Sequence, residues 1–255
     1  MNIKGFDQLR RHIPGFNSPI GVLRVLFLPI LLFILVTAIL NTRTLTSTVW
    51  LLVGEFLFGG VGFLWLYLFF RYKNDLRARF GPLAYSKAVS RFGYPGVAII
   101  ATVVTRIRTL PGPQISRGWW SIALPTLGWT LIAGGLLLFL RTLQIFGVDN
   151  LTMLYVYFPG ESRLVENRIY KVLRHPAYAA AQRIAFGLAL LNGNWFALAC
   201  ALFFALALWA WVRLVEENEL IERFGQPYTE YRQGVPAFWP RPRDLRRFFE
   251  FLIFG

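Results

Sequence analysis

Three stretches of this chain carry almost no charge over lengths that reach across a bilayer. Residues 49–70 hold a single charged side chain, Glu55, while residues 119–140 and 195–212 hold none. A run of about 18 or more nearly uncharged apolar residues is long enough to cross the hydrocarbon core as a helix. The rest of the chain does not offset this bias: 56% of residues are apolar and only 16% charged. A soluble domain carries about a quarter charged residues, so this chain has too few to cover a water-facing surface. A soluble globular domain and a disordered chain are both excluded. The expectation is an all-α, multi-pass integral membrane protein.

The remaining charge is lopsided, with 27 Lys and Arg against 13 Asp and Glu and a net charge of +14. In a soluble protein such an excess would point to nucleic acid. Here the basic residues flank the apolar runs, as the cytoplasmic side and its anionic lipids favour, and no nucleic-acid partner is expected. The single cysteine, Cys200, lies inside an apolar run, which excludes an intramolecular disulfide and a thiolate cluster. With only His12 and His175 available, no metal is expected either.

Along the chain, residues 1–19 are polar and basic with turn formers at Pro14, Gly15, Asn17 and Pro19. They read as a cytoplasmic N-terminal segment, not a signal peptide, because no small-residue cleavage site follows the first apolar run. Residues 20–140 form an N-terminal set of transmembrane helices. Residues 20–40 are the first span, with its apolar core shortened by Arg24; 41–48 are a polar turn, and 49–70 the second span. Residues 71–91 hold Arg71, Lys73, Arg77, Arg79, Lys87 and Arg91 against Asp75, which places them in the cytoplasm. Residues 92–105 are apolar but short and interrupted by Pro95 and Gly96. They are either a span extended at its N-terminal end or a re-entrant segment. A loop through Pro111, Gly112 and Pro113 leads to the span 119–140.

Residues 141–255 form the second region. Residues 141–174 are too polar to cross. Residues 176–191 and 195–212 are joined by Asn192-Gly193-Asn194, whose turn chemistry makes them a tight transmembrane hairpin. From Arg213 onward the chain is polar, basic and punctuated by Pro227, Pro236, Pro240 and Pro242. The total is about six transmembrane helices, with 71–91, 141–175 and the C-terminal segment facing the cytoplasm. Against this topology, the outer loop 106–117 carries Arg106, Arg108 and Arg117.

The hairpin brings distant residues together. Its two helices have similar lengths, so the entry sequence Arg174-His175-Pro176-Ala177-Tyr178 meets the exit sequence Arg213-Leu214-Val215-Glu216-Glu217 at one membrane face. A histidine, two arginines, two carboxylates and a tyrosine gather there, able to bind a zwitterionic or charged small molecule beside a lipid. The plainer alternative is a set of snorkelling border residues and the solvated start of a helix at Glu216, Glu217 and Glu219.

The pattern that continues from the exit decides between them. It runs Arg213-x-x-Glu216-Glu217-x-x-Leu220-x-x-x-Phe224-Gly225-x-x-Tyr228-x-x-Tyr231-x-x-x-Val235-Pro236-x-x-x-Pro240. Together with Tyr170-x-x-x-Arg174-His175-Pro176-x-Tyr178, it resembles the isoprenylcysteine carboxyl methyltransferases and the related phospholipid N-methyltransferases over residues 165–240. The resemblance implies S-adenosylmethionine-dependent methyl transfer by a membrane-embedded enzyme without a Rossmann domain. It also implies cofactor-binding roles for Arg174, His175, Pro176, Tyr178, Glu216, Glu217, Tyr228 and Tyr231. Two of the family's glycines are replaced: Asn167-Arg168-Ile169 precedes Tyr170, and Ala180 follows Tyr178. Gly59-Gly60-Val61-Gly62 lies inside a span and reads as helix packing, not as a dinucleotide fingerprint.

Physical chemistry gives these residues roles. S-adenosylmethionine carries an ammonium and a sulfonium, which suit Glu216 or Glu217 and the faces of tyrosines, while its carboxylate suits His175 or Arg174. A carboxylate acceptor needs an arginine to hold it, Arg213 or Arg183. An amine acceptor must lose a proton, to His175 or to a glutamate such as Glu217. Arg183 lies two turns into the hairpin helix on the face of Ala179 and His175, which favours a substrate or cofactor role; Glu55 is read as a buried structural contact. The expected acceptor is lipid-like or prenylated, and the expected active site faces the cytoplasm. A sterol-reductase-like, NADPH-dependent membrane oxidoreductase would share the hairpin and the Tyr/Val-Pro ending but needs a dinucleotide pocket, and Arg-His-Pro with Glu-Glu favours the methyl donor instead. A non-enzymatic transporter or scaffold would not account for charged groups clustered at the hairpin base.

Overall fold

The computed structural model describes residues 4–41, 47–115, 118 and 120–254. Its helices are α1 (Phe6–His12), α2 (Pro19–Asn41), α3 (Thr48–Arg71), α4 (Lys73–Phe80), α5 (Ala84–Ala88), α6 (Tyr94–Arg106), α7 (Trp120–Phe146), α8 (Val148–Leu151), α9 (Pro176–Asn192), α10 (Trp195–Trp211), α11 (Glu217–Phe224), α12 (Gln226–Gly234) and α13 (Leu245–Phe254). Among the described residues there is no strand, only an isolated bridge between Gln114 and Asn194. The polar turn expected over 41–48 falls largely on 42–46, and Arg117 and Trp119 also lie outside the described residues.

Five helical stretches are long and apolar enough to cross a membrane: Pro19–Ile39, Thr48–Arg71, Lys73–Arg106, Trp120–Phe146 and Trp195–Phe224. Large apolar side chains such as Leu23, Leu57, Ile122 and Leu206 stand exposed on their outer faces, where only lipid covers them without cost. This is an all-α integral membrane protein. The expected sixth crossing is α9, which has 17 residues, contains Arg183 and is paired with α10.

The apolar stretch 92–105 belongs to a helix extended at its N-terminal end and long enough to cross. Gly81, at φ 49, breaks the chain after the basic helix α4. From Ala84 onward α5, a π-helical turn (Val89–Gly93) and α6 follow without interruption. The 23 residues 84–106, at about 1.5 Å each, give about 34 Å, enough for the hydrocarbon core.

Between lipid-bathed helices there is little hydrophobic drive, so close packing and polar contacts hold the bundle. The closest approach is α7 against α9. A Cβ on Gly187 would sit 2.7 Å from the Gly128 carbonyl oxygen, and one on Gly135 would sit 3.0 Å from that of Ala180. Glu55 and Arg106 form a buried ion pair at 2.5 Å between α3 and α6, so Glu55 is the structural contact expected. Arg106 thereby carries its charge into the interior, while its carbonyl accepts from the amides of Thr109 and Leu110 in the loop that follows.

The hairpin tip is fastened to that loop. Gly193, at φ 74, ends α9 in the left-handed conformation, and Asn194 caps α10 by accepting from the Ala197 amide at 2.8 Å. Asn192 and Asn194 donate to the Leu110 carbonyl, and Asn192 also to that of Ile107. At the opposite end the polar segments interlock. Arg77 donates to the carbonyls of Val156 and Tyr157, Tyr85 to that of Thr152, and Arg141 to those of Leu252 and Ile253.

Gly187→Val should push α7 and α9 apart and cost about 1–3 kcal/mol, a fall of several degrees in Tm in detergent. Gly134→Ala, where nothing lies within 4 Å of the added carbon, should not lower Tm. Unchanged Tm in Gly187→Val would rule out the close α7–α9 contact.

Candidate active site

The base of the hairpin is built by two short backbone devices. Arg174 and His175 lead into α9, and their amides donate to the carbonyls of Pro236 at 3.0 Å and Ala237 at 3.1 Å. The C-terminal segment is thereby laid beside the hairpin entry. At the exit, α10 runs into a π-helical turn (Val212–Glu216) before α11 begins. Such wide turns re-aim the side chains that follow them and are common at functional sites. Here the two adjacent glutamates have different surroundings.

Glu217 is fully buried and surrounded by cations. Arg174 Nε donates to its Oε1 at 2.7 Å, Arg232 Nε lies 3.0 Å from its Oε2, and His175 Nε2 lies 3.5 Å from Oε1. The Arg174 guanidinium is further held by the carbonyls of Arg232 and Val235. Glu216 instead faces a cavity, with its Oε1 3.5 Å from His175 Nδ1. Tyr231 closes the cluster by donating to the Tyr170 carbonyl at 2.7 Å.

Burial by itself would hold His175 below the ordinary imidazole value of 6.5, but the Glu216 and Glu217 carboxylates, each 3.5 Å from a ring nitrogen, outweigh burial and raise it. Burial, with the nearby glutamates, pushes the Tyr228 phenol up, and burial likewise raises Tyr231. Both tyrosines therefore remain neutral donors across physiological pH.

The cavity has a volume of about 590 Å³, within the range of small-molecule sites. Its polar lining comprises Arg163, Arg174, His175, Glu216, Glu219, Arg223, Tyr228 and Tyr231. Among these, His175 Nε2, Glu216 Oε2, Arg223 Nε and the Tyr228 hydroxyl are buried without a hydrogen-bond partner. Buried polar atoms are rarely left so, and four around one space mark where a polar ligand would be held. Its apolar lining includes Phe63, Ala101, Ile184, Leu208 and Trp211. Val97 of α6 and Phe139 of α7 line the cavity and are also exposed on the outer surface.

Of the residues singled out in the sequence, Arg174, His175, Pro176, Tyr178, Glu216, Tyr228 and Tyr231 line this one cavity. Glu217 stands behind it. Arg183 does not line it: its guanidinium donates to the Ala179 carbonyl at 2.8 Å and the Phe238 carbonyl at 3.3 Å, and lies 4.4 Å from the Trp239 ring centroid and 5.6 Å from that of Phe248. Arg213 is exposed and lies over Trp209. Ala180 is fully buried next to Gly135 of α7, so the glycine replaced there concerns helix packing.

Arg163, Glu219 and Arg223 were not foreseen. Glu216, Glu219 and Arg223 share one helix face by their spacing of three and four residues, and Glu219 pairs with Arg223; that spacing was the available signal. Arg163 lies outside regular structure and gave none. No group of three or more His, Cys, Asp and Glu side chains among the described residues is arranged to hold a metal ion.

Residues 124–227 match the phospholipid methyltransferase family. Over 80 residues the chain is 36% identical to protein-S-isoprenylcysteine O-methyltransferase of Schizosaccharomyces pombe, covering 30% of this chain and 33% of that protein. Over 131 residues it is 27% identical to protein-S-isoprenylcysteine O-methyltransferase B of Arabidopsis thaliana, covering 50% of this chain and 64% of that protein. The chain thus spans between a third and just under two thirds of the length of these curated relatives. No solved structure matches. The resemblance drawn from residues 165–240 is supported by all three matches.

Removing Glu217 leaves the Arg174 and Arg232 cations without their counter-charge. Glu217→Ala should therefore cost about 3–5 kcal/mol, read as a large fall in Tm. A pH dependence also follows. A folded-state pKa raised above the unfolded value gives stability that is complete below about 6.5 and is lost as pH rises through the raised value. Tm should fall as pH rises above about 6.5 in the native protein, and less so in His175→Gln. Parallel Tm–pH curves for the two would show that His175 is not charged in the fold.

Proposed function

We propose, taking residues 124–227 as a segment of the phospholipid methyltransferase family, that the protein is an integral-membrane methyltransferase using S-adenosylmethionine and acting on a lipid-like or prenylated acceptor. The observation that carries this reading is the mixed lining of a single cavity. It combines polar side chains with unpartnered buried atoms and apolar side chains of which Val97 and Phe139 also face outward. A water-soluble donor and an acceptor with an apolar tail fit such a space together.

The donor set suits the cofactor. When bound, S-adenosylmethionine supplies an electrophilic methyl group on a sulfonium. Glu216, with its unpartnered oxygen, is placed to accept from an ammonium, and Tyr228 has a hydroxyl to donate. His175, its charged form favoured by the two glutamates, suits a carboxylate. Tyr178 and Tyr231 offer faces to a cation. Arg174 and Glu217 act one step back, as the clamp that orients His175 and holds the Val235–Ala237 backbone.

The apolar lining takes the acceptor's tail, each buried methylene contributing about 0.8 kcal/mol. Arg163 and Arg223, which line the cavity, are candidates to hold the acceptor's head. Arg183 acts indirectly, through the Phe238 carbonyl, and Arg213 at the membrane border. An amine acceptor would find Glu216 and Glu219 as carboxylates to take its proton. Excluding water from this space removes competition for the reacting groups. The basic content of 71–83 and of the C-terminal segment favours the cytoplasm as the side that the polar lining faces.

Calorimetry with S-adenosylhomocysteine tests the site. Glu216→Gln and His175→Ala should each weaken binding by about 1–3 kcal/mol, the usual range for a charge-assisted contact. Native affinity in both would remove the basis for the site. Isotopic methyl donor supplied to membranes containing the protein should label an apolar-tailed acceptor, with KM rising steeply as the tail is shortened. Equal efficiency on a short, freely soluble acceptor would contradict the holding of that tail in the cavity.

A further inference from the structure

The C-terminal helix α13 has two faces that the site itself does not use. Phe248 and Leu252 are buried against the rest of the molecule. Leu245, Phe249 and Ile253 recur every four residues and form an exposed apolar stripe beside that buried face, with Phe254 exposed at the end. Arg246, Arg247 and Arg243 are exposed around the stripe, against Asp244 and Glu250. An exposed apolar stripe bordered by arginines is the pattern of a helix lying in the plane of a membrane surface.

Its position fits that surface. Arg141, on α7, donates to the carbonyls of Leu252 and Ile253, satisfying the C-terminal end of α13. Immediately before Arg141, Leu136, Leu137 and Leu140 of α7 are exposed in a membrane span. The stripe of α13 therefore continues an apolar surface that lipid already covers. Its arginines then lie where anionic headgroups would be.

The same helix is fastened to the cavity. Phe248 of α13 and Trp239 both contact the Arg183 guanidinium, which also binds the Phe238 carbonyl. One residue earlier, the Ala237 carbonyl accepts from the His175 amide. Holding α13 in place holds residues 236–239 against the hairpin entry.

We propose that α13 docks in the plane of an anionic lipid surface, its Leu245–Phe249–Ile253 stripe among the acyl chains and Arg243, Arg246 and Arg247 on lipid phosphates, and that this docking fixes the 236–239 segment beside His175. The proposal does not depend on which reaction the cavity serves.

Its test uses the full chain with Ile253→Cys in a Cys200→Ala background, labelled with bimane. The protein is placed in nanodiscs of phosphatidylcholine with or without phosphatidylserine. Brominated lipid should quench the label, more strongly with phosphatidylserine present, and Arg246→Gln with Arg247→Gln should abolish that gain. Hydrogen exchange at the amides of 237–239 should be slower with phosphatidylserine and should speed up in the double variant. Both arginines are exposed, so the double variant should fold. A label untouched by brominated lipid would overturn the proposal, as would one quenched only by a second labelled copy. Quenching and exchange that ignore phosphatidylserine and the two arginines would also overturn it. None of these readouts requires cofactor binding, so failure of the methyltransferase reading would be separately visible.

Discussion

The buried carboxylate of Glu217 is the contact on which the hairpin base depends, because it binds together segments far apart in sequence. Arg174 comes from the entry to α9, Glu217 from the exit of α10, and Arg232 from α12. An unpaired charge at that depth would be expensive, so the carboxylate is tolerated only with its cations in place. Satisfying it brings the Arg174 side chain onto the carbonyls of Arg232 and Val235. It also sets His175 between two glutamates. The polar lining of the cavity stands on the open side of this clamp.

The membrane setting explains why such contacts carry so much. Helices surrounded by lipid gain little from apolar contact with one another, so shape and polar pairing decide the arrangement. Glycines at 128, 135 and 187 let α7 and α9 touch along their backbones. The Glu55–Arg106 pair fixes α3 to α6, and the two asparagines at the hairpin tip satisfy carbonyls of the 107–110 loop. These ties hold the walls of a cavity that carries both polar and apolar side chains.

Much of this was legible in the sequence, for identifiable reasons. Uncharged runs of bilayer length announce spans, and two helices of similar length joined by Asn-Gly-Asn must return the chain to its starting face. The convergence of Arg174 and His175 with Glu216 and Glu217 followed from that alone. The directions of individual side chains did not. Glu216, at the end of a π-helical turn, lies in the cavity and Glu217 behind it, and the sequence does not say which of two adjacent residues faces inward. Arg183 sits on the helix face of His175 and Ala179, as its spacing implied, yet its long side chain reaches Phe238 and Trp239. Pro95 and Gly96 left residues 92–105 open between a span and a re-entrant segment, although the helix that contains them begins upstream at Ala84.

The most direct measurement is an experimental structure of the full chain in lipid nanodiscs with S-adenosylhomocysteine at saturating concentration. The ligand should lie against the polar lining of the cavity, in contact with Glu216 and Tyr228, with the Arg174–Glu217 pair intact behind it. Lipid alone in that space, or the ligand bound elsewhere on the molecule, would contradict the assignment of the hairpin base as the cofactor site.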